Sequence, residues 1–105
     1  MITVKNCSEL DKEIGSGKSI VKISTPGCGP CRMVKESMKL LEKEYADVKF
    51  IDIDADECDE ELIDRFSVGG VPYVACFKDG RQLDETIGLQ MLDQLKTRIE
   101  ALNQI

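Results

Sequence analysis

The stretch Ser-Ile-Val-Lys-Ile-Ser-Thr-Pro-Gly-Cys-Gly-Pro-Cys, residues 19–31, decides the fold class of this chain. Its first part, residues 19–24, is a short run rich in β-branched side chains, which predicts a strand in the interior of a sheet. Residues 25–31 are dense in proline and glycine and predict a loop that opens a helix. From Arg32 onward apolar side chains recur at helical spacing, so the chain is predicted to run from strand through loop into helix.

The rest of the chain continues this alternation of strand and helix. Further strands are predicted over residues 2–5, 48–53, 73–77 and 82–87. Further helices are predicted after a Ser8 cap, over residues 58–66, and in the C-terminal stretch that carries Leu92, Leu95, Ile99 and Leu102. Asp79-Gly80 marks a hairpin turn. The predicted order is β-α-β-α-β-α-β-β-α, an α/β fold with a mixed sheet and helices on both faces, and residues 1–105 are predicted to form a single domain.

Composition and charge exclude several classes of function. The 105 residues include 20 acidic and 14 basic side chains, which give a net charge of −6. Binding to nucleic acid or to an anionic membrane needs surplus Lys and Arg, so neither partner is expected. No apolar run approaches the roughly 18 residues of a membrane span, and residues 1–5 do not begin a secretory signal. We therefore expect a soluble cytoplasmic protein.

The absence of histidine narrows the chemistry further. It excludes Ser-His-Asp and Cys-His catalysis and His-ligated zinc. The five cysteines are an odd number without a visible signal peptide, which is not typical of a secreted disulfide framework. In a reducing compartment, cysteines are more often catalytic, metal-binding or simply buried.

Two short motifs resemble ligand-binding loops but fail on position. The segment 15–19, Gly-Ser-Gly-Lys-Ser, resembles the end of a phosphate-binding loop, but Lys12 stands where the first glycine belongs. It also follows a helix and precedes a strand, so it is predicted to end the helix. The segment 52–56 begins like a calcium loop, but Glu57 and Ile63 replace the required Gly and Glu. That segment is predicted to end a strand.

A zinc site is not favoured either. Structural zinc needs four ligands, and the chain has only one close pair of cysteines, Cys28 and Cys31. Cys58 and Cys76 each lie in an apolar pattern and are predicted to be buried small hydrophobic residues. Cys7, near the start of the first helix, is predicted to be an incidental surface thiol, with an intermolecular disulfide as the alternative. No metal is expected.

The remaining signal is Cys28-Gly29-Pro30-Cys31 at the start of a helix. A helix N-terminus has unpaired amides and about half a positive charge, so it stabilises a thiolate. Pro30 suits the first helical turn, where its missing N–H costs nothing. The spacing lets the two sulfurs meet, with Cys28 as the exposed nucleophile and Cys31 one turn further in.

With these motifs, the chain resembles a thioredoxin over essentially its full length. The other motifs that carry the resemblance are Val71-Pro72 before a strand, residues 77–80 at the hairpin, and Gly88 before the last helix. The resemblance implies a thioredoxin fold in which Pro72 is cis and packs opposite the cysteines. It also implies that a surface of small residues binds the substrate, with Val71 offering backbone hydrogen bonds; this surface comprises Gly27, Gly29, Pro30, Val71, Pro72 and Gly88.

Two departures from the family pattern lie at the site. Gly27 replaces the usual Trp before the first cysteine, so the nucleophile is expected to be less shielded. Lys22 replaces the usual buried Asp, and Phe50 stands where the family often has Lys. We predict that Lys22 lies beneath Cys31, where it either accepts its proton or favours its thiolate; the alternative is that Lys22 bends out to solvent.

The resemblance implies a thiol–disulfide oxidoreductase that reduces protein disulfides. Cys28 attacks the substrate, and Cys31 resolves the mixed disulfide. The resemblance further implies a monomer without a bound cofactor, in which the Cys28–Cys31 disulfide is reduced by a flavin-dependent thioredoxin reductase. A glutaredoxin-like reductase that uses glutathione is one alternative. Another is a non-enzymatic module that either shares an iron–sulfur cluster between two chains or docks a partner.

Overall fold

The computed structural model describes all 105 residues and contains five strands and four helices. The strands are β1 (Ile2–Thr3), β2 (Lys18–Ser24), β3 (Val48–Asp54), β4 (Tyr73–Lys78) and β5 (Arg81–Ile87). The helices are α1 (Cys7–Ile14), α2 (Gly29–Glu44), α3 (Glu60–Phe66) and α4 (Leu92–Leu102). Their order along the chain confirms the predicted α/β fold. None of the four helices has the length and apolar character needed to cross a bilayer.

The strands form one mixed sheet in the order β1-β3-β2-β4-β5. The first three strands in this order are parallel, whereas β4 is antiparallel to β2, and β5 is antiparallel to β4. Strands β2 and β3 therefore end side by side, and the N–H of Ala55 donates a hydrogen bond to the Ser24 carbonyl at 2.8 Å. We call this end of the sheet the carboxyl edge. The loop that leads into α2 leaves the sheet here.

Two helices cover each face of the sheet. Helices α1 and α3 pack on one face and α2 and α4 on the other, each over a cluster of 12 buried residues. Side chains along β2 alternate between the two clusters, because successive residues of a strand point to opposite faces. Val21 and Ile23 join the α1/α3 cluster, and Ile20 joins the α2/α4 cluster. The same alternation turns Lys22 toward α2.

Two helix starts differ from the prediction. Asn6, and not Ser8, caps α1, because the Asn6 side chain accepts a hydrogen bond from the N–H of Glu9 at 2.9 Å. Helix α3 begins two residues later than predicted, at Glu60. The reason is that Asp59 is extended and donates its N–H to the Lys5 carbonyl at 2.9 Å. Cys58 therefore lies in a loop.

The hairpin turn and the end of α1 support each other. Asp79 and Gly80 both have positive φ, 51° and 83°, as a two-residue hairpin turn requires. The N–H of Asp79 donates to the Gly17 carbonyl at 2.9 Å, and the N–H of Gly17 donates to Oδ1 of Asp79 at 2.8 Å. The segment that resembles a phosphate loop thus ends α1 and leads into β2, as predicted.

A partly buried ionic cluster joins α4 to the β4–β5 hairpin. The Arg98 guanidinium donates to both carboxylate oxygens of Asp84, to Oγ1 of Thr86 at 2.7 Å and to the Val74 carbonyl at 3.0 Å. Burial alone would raise the pKa of Asp84, but the hydrogen bonds and charge of Arg98 outweigh it and lower that pKa. We call these four residues the Arg98 cluster.

Candidate active site

The two close cysteines lie at the start of α2. Cys28 is the N-cap with an extended backbone, and Gly29 is the first helical residue. Pro30 follows in the first turn, where its missing N–H leaves no hydrogen bond unmade. The N–H of Cys28 donates to the Thr25 carbonyl at 3.2 Å, which holds the loop against the helix start. The predicted strand–loop–helix context of the cysteines is confirmed.

Cys28 and Cys31 form a disulfide with a Cα–Cα distance of 5.2 Å and a χ3 angle of 77°. The N–H of Cys31 donates to Sγ of Cys28 at 3.1 Å. Cys31 is buried, with 2% of its surface exposed, whereas Cys28 is only half-buried. Of the two cysteines, Cys28 is therefore the one that is accessible to another molecule. Helix α2 has no acidic residue in its first turn, so nothing there opposes the positive end of the helix.

The strand register brings the predicted proline to the same edge. Ile23 of β2 lies opposite Tyr73 of β4, so Pro72 sits at the end of β2, next to the loop that carries the cysteines. The Val71–Pro72 peptide bond is cis, as the resemblance implies. The fold thus brings the Cys28–Cys31 motif and Val71-Pro72 to the carboxyl edge of the sheet, although they lie far apart along the chain.

Small residues surround the half-buried Cys28. A Cβ added at Gly27 would meet no atom within 4 Å, so the position of the missing Trp is open space. The N–H of Gly88 donates to the Pro72 carbonyl at 2.9 Å, and its φ of 105° strongly favours glycine. The predicted substrate-binding residues differ in exposure: Gly27, Gly29 and Pro30 are exposed, Val71 and Gly88 half-buried, and Pro72 buried.

Lys22 is buried and ion-paired. Its side chain is 3% exposed, and its Nζ lies 2.9 Å from Oδ1 of Asp52, its register partner on β3. The other carboxylate oxygen, Oδ2, lies 3.3 Å from Nζ of Lys35 on α2. We call these three residues the Lys22 cluster. The alternative in which Lys22 bends out to solvent is wrong, because a carboxylate on the neighbouring strand compensates its charge inside the protein.

The Lys22 cluster and Cys31 line one open cavity of about 230 Å³. Arg32 and Asp54 also line it, so the wall contains more positive than negative side chains. Lys22 and Asp52 both belong to the α2/α4 face, because the neighbouring Ile20 and Phe50, two residues earlier on their strands, lie in that cluster. Cys31 therefore borders a charged cavity under α2 that is open to solvent.

Asp52 and Lys35 are functional candidates that the sequence did not reveal. The residues around Asp52 correctly predicted a strand end, but its partner depends on which residue of β2 lies opposite. The only available signal was that each of these charged residues interrupts an apolar strand. Lys22 and Asp52 are both flanked by aliphatic residues that are typical of a buried strand. Both unusual charges therefore required a partner inside the fold.

The other three cysteines occupy different environments. Cys76 is buried, as predicted, and burial raises the pKa of its thiol to about 12. Cys58 is only half-buried, contrary to the prediction, because the loop before α3 leaves it at the border of the core. Cys7 is also half-buried and packs against the α1/α3 cluster, so it is not a fully exposed surface thiol. The structure brings together no group of three or more Cys, Asp or Glu side chains that could hold a metal ion.

Comparisons with known proteins agree with this arrangement. The family model described as thioredoxin matches residues 1–101. A thioredoxin of Staphylococcus saprophyticus is 31% identical over 94 residues, which is 89% of each chain, and a thioredoxin of Chlamydia trachomatis is 27% identical over 95 residues, which is 90% of this chain and 92% of that one. A solved variant thioredoxin from Halobacterium salinarum superposes with a TM-score of 0.90 at 32% identity, over 99% of this chain and 91% of that chain.

The family match over almost the whole length and the disulfide at the start of α2 lead to one conclusion: this chain belongs to the thioredoxin family of thiol–disulfide oxidoreductases.

Proposed function

We propose that this protein reduces disulfides in other proteins and that Cys28 and Cys31 are its catalytic residues. The observation that carries the proposal is the Cys28–Cys31 pair itself, with a half-buried Cys28 at the helix N-cap and a buried Cys31 one turn further in. This asymmetry gives the two sulfurs different roles. Only Cys28 is accessible to a substrate as large as a protein.

The reaction then consists of two exchanges. The Cys28 thiolate attacks one sulfur of the substrate disulfide, a mixed disulfide forms, and the other substrate sulfur leaves as a thiolate that takes up a proton. The Cys31 thiolate next attacks Sγ of Cys28 and releases the second substrate thiol. The substrate gains two electrons and two protons, and the protein, which began as the dithiol, is left with the Cys28–Cys31 disulfide.

The surface of small residues binds the substrate. Gly27, Gly29 and Pro30 give a substrate chain room to approach Cys28 closely, and the open space at Gly27 widens this approach. Val71 offers backbone hydrogen bonds to an extended segment, while Pro72 and Gly88 hold the opposite side of the surface in place. Without a Trp at position 27, the protein accepts bulkier segments around the disulfide.

Lys22 supports the second exchange as a positioning residue. Its Nζ forms an ion pair with the Asp52 carboxylate, so of the two predicted roles we infer the one in which Lys22 stabilises a thiolate at Cys31. The Lys22 cluster and Cys31 line the same cavity, and the positive charge acts on the Cys31 sulfur across it. Charge in this space assists the release of the mixed disulfide and has no part in the first attack.

The remaining proposals concern the cellular setting. Residues 1–105 act as one monomeric thioredoxin domain in the cytoplasm, without a bound cofactor, in electron transport and redox homeostasis. A flavin-dependent thioredoxin reductase returns electrons to the Cys28–Cys31 disulfide. The net charge of −6 supports the absence of nucleic-acid and anionic-membrane partners.

The test is reduction of a protein disulfide with electrons from a flavin-dependent thioredoxin reductase. We expect turnover by the natural chain and a loss of roughly 10³-fold or more in Cys28→Ser, which removes the nucleophile. Cys31→Ser is the matched variant, because it keeps the nucleophile and is expected to accumulate a mixed disulfide at Cys28. Turnover with glutathione alone would favour the glutaredoxin-like alternative. A brown protein without thiol exchange would favour the cluster-binding one.

A further inference from the structure

Helix α2 carries a row of basic side chains along one face. Because a helix turns once in about 3.6 residues, positions 32, 35, 39 and 43 fall within one arc of about 80°. At about 1.5 Å per residue the row covers about 16 Å of helix, and it begins at the residue that follows Cys31. We call these residues the α2 basic stripe: Arg32, Lys35, Lys39 and Lys43.

Two open cavities lie along the α2 basic stripe. The cavity of about 230 Å³ beside the disulfide has Arg32 and Lys35 in its wall. The three lysines of the stripe line a second cavity of about 480 Å³, which reaches Thr3 on β1. Lys35 and Asp52 line both cavities, so the two together form one groove that leads from the disulfide along α2.

The groove is positively charged in a chain that is negatively charged. Its walls contain Lys22 and the four residues of the stripe, against three carboxylates, those of Glu42, Asp52 and Asp54. The chain as a whole has 20 acidic and 14 basic residues. An excess of one sign of charge in a cleft attracts ligands of the opposite sign. The groove therefore favours an anionic partner.

The carboxylates of the chain do not neutralise the stripe. Its two ends, Arg32 and Lys43, take part in no ion pair. Nζ of Lys39 lies 3.5 Å from Oε1 of Glu36, but both side chains are more than half exposed, so water screens this pair. Lys35 shares its carboxylate with a second lysine. Like charges four residues apart on a helix also repel each other, so an external anion stabilises the row.

The groove and the surface of small residues lie on different sides of the disulfide. Thr3 on β1 and Asp52 on β3 lie on one side of β2, whereas Pro72 precedes β4 on the other side. A protein that is bound through Val71 therefore leaves the stripe free to contact a second segment of the same protein.

We propose that the α2 basic stripe binds an acidic segment of the substrate protein, an inference that rests on the proposed function. Four basic side chains over about 16 Å match about five residues of extended chain, at about 3.3 Å per residue. A longer polyanion, such as nucleic acid or an anionic membrane, would extend beyond the groove onto the negatively charged remainder of the chain. Proteins with Asp or Glu close to their disulfide are thereby selected as substrates.

The experiment compares peptides that differ only in the charge beside their disulfide. Each peptide has one internal disulfide and, at its N- or C-terminal end, a short arm made either of Glu or of Gln. The reduced protein is mixed with each peptide in a single turnover, so that no reductase takes part. At about 10 mM salt we expect the Glu arm at one of the two ends to react about tenfold faster than the Gln arm. At about 0.5 M salt the ratio should fall below about twofold, because mobile ions screen the attraction.

A pair of matched double variants locates the effect. Lys39→Glu with Lys43→Glu reverses two exposed charges of the stripe and should remove the preference for the Glu arm, while the rate with the Gln arm stays within about twofold. Lys5→Glu with Lys12→Glu makes the same change in net charge at exposed residues that line neither cavity, and should keep the preference. An unchanged rate with the Gln arm also shows that each variant is folded.

Three results would overturn the proposal. The first is equal rates for Glu and Gln arms at low salt, and the second is an equal loss of preference in both double variants. The third is inhibition of the Glu-arm reaction by a short oligothymidylate at a lower concentration than by a free peptide of Glu residues, because nucleic acid would then be the better occupant.

A binding measurement separates this proposal from the proposed function. The free Glu peptide, which has no disulfide, should shift the amide resonances of residues 32–43 at low salt, and the absence of these shifts would also overturn the proposal. Failure of every peptide disulfide to react, with such shifts present, would count against Cys28 and Cys31 as catalytic residues and not against the stripe.

Discussion

The Arg98 cluster and the Lys22 cluster both place a cation with little exposed surface beside a carboxylate, but they are built differently. Arg98 donates four hydrogen bonds, to Asp84, Thr86 and a backbone carbonyl. Lys22 has one ionic contact, to Asp52, and faces a cavity that it shares with Cys31. A cation held by several hydrogen bonds fixes structure, whereas one with an open side remains available to a reacting group.

The largest effect is expected when the carboxylate of the Lys22 cluster is removed. Asp52→Asn leaves Lys22, which is 3% exposed, as a buried charge without an anion. We expect the free energy of unfolding to fall by about 3–5 kcal/mol at neutral pH, because an uncompensated buried charge costs that much. Urea denaturation measures it.

The matched control for this change is Asp54→Asn. Asp54 lines the same cavity but makes no ion pair with Lys22. The expected loss in the control is below about 1 kcal/mol, as for a partly exposed carboxylate. Equal losses in the two variants would mean that Asp52 does not neutralise Lys22.

The next largest effect is expected in the Arg98 cluster. Arg98→Met removes the charged hydrogen bonds to Asp84 and the bond to the Val74 carbonyl, and should lower the free energy of unfolding by about 2–3 kcal/mol. The rate of disulfide exchange at Cys28 should not change, because no residue of this cluster lines the cavity of Cys31. Lys96→Met, on the same helix, loses only an exposed pair with Glu44 and should cost less than about 1 kcal/mol. A slower exchange in Arg98→Met would remove the distinction between the two clusters.

The same substitution in the Lys22 cluster should give the reverse pattern. In Lys22→Met an apolar side chain fills the buried position while Asp52 keeps its contact with Lys35, so stability should change by less than about 1 kcal/mol. Resolution of a preformed mixed disulfide by Cys31 should slow about tenfold at pH 7, and its pH–rate profile should shift to higher pH, because a nearby positive charge is lost. Stopped-flow release of the small thiol measures this rate. An unchanged profile would exclude Lys22 from the second exchange.

The smallest effect is the acid sensitivity of the Arg98 cluster. Arg98 lowers the pKa of Asp84 in the folded chain, so the pair contributes stability above the unfolded pKa of about 3.9, and this contribution is lost as pH falls through the lower folded value. Because Asp84 is 41% exposed, the contribution should stay below about 1 kcal/mol. Urea denaturation between pH 3 and 6 should show a shallower acid loss in Asp84→Asn than in the natural chain. Parallel curves would contradict this.

The position of Cys28 at the start of α2 could be predicted from the sequence, because the patterns that determine it are local. A β-branched run, a Pro- and Gly-rich loop and a helical period are all read within residues 19–45, and they place Cys28 at the helix start without knowledge of the rest of the fold. The cap of α1 shows the limit even of local signals. Asn6 and Ser8 are both able to cap a helix, and only the hydrogen bond to Glu9 decides between them.

The ion pair between Lys22 and Asp52 could not be predicted, because it depends on the register between β2 and β3. A shift of β3 by one residue against β2 would turn Asp52 to the other face, and no local pattern specifies that pairing. The position of Cys58 depends in the same way on a distant contact, the hydrogen bond between Asp59 and Lys5. Local patterns therefore predicted which residues form each element, and long-range contacts decided which charges meet.

The order of the strands also affects self-association. It leaves two edge strands, the two-residue β1 and the seven-residue β5. Strand β5 exposes Arg81, Asp84 and Glu85, whose charges oppose pairing with the edge strand of a second molecule. Its one exposed apolar side chain, Ile87 at 58% exposure, stands at the carboxyl edge. The charged side chains and the exposed Ile87 thus occupy different stretches of one strand, and the apolar end lies at the carboxyl edge.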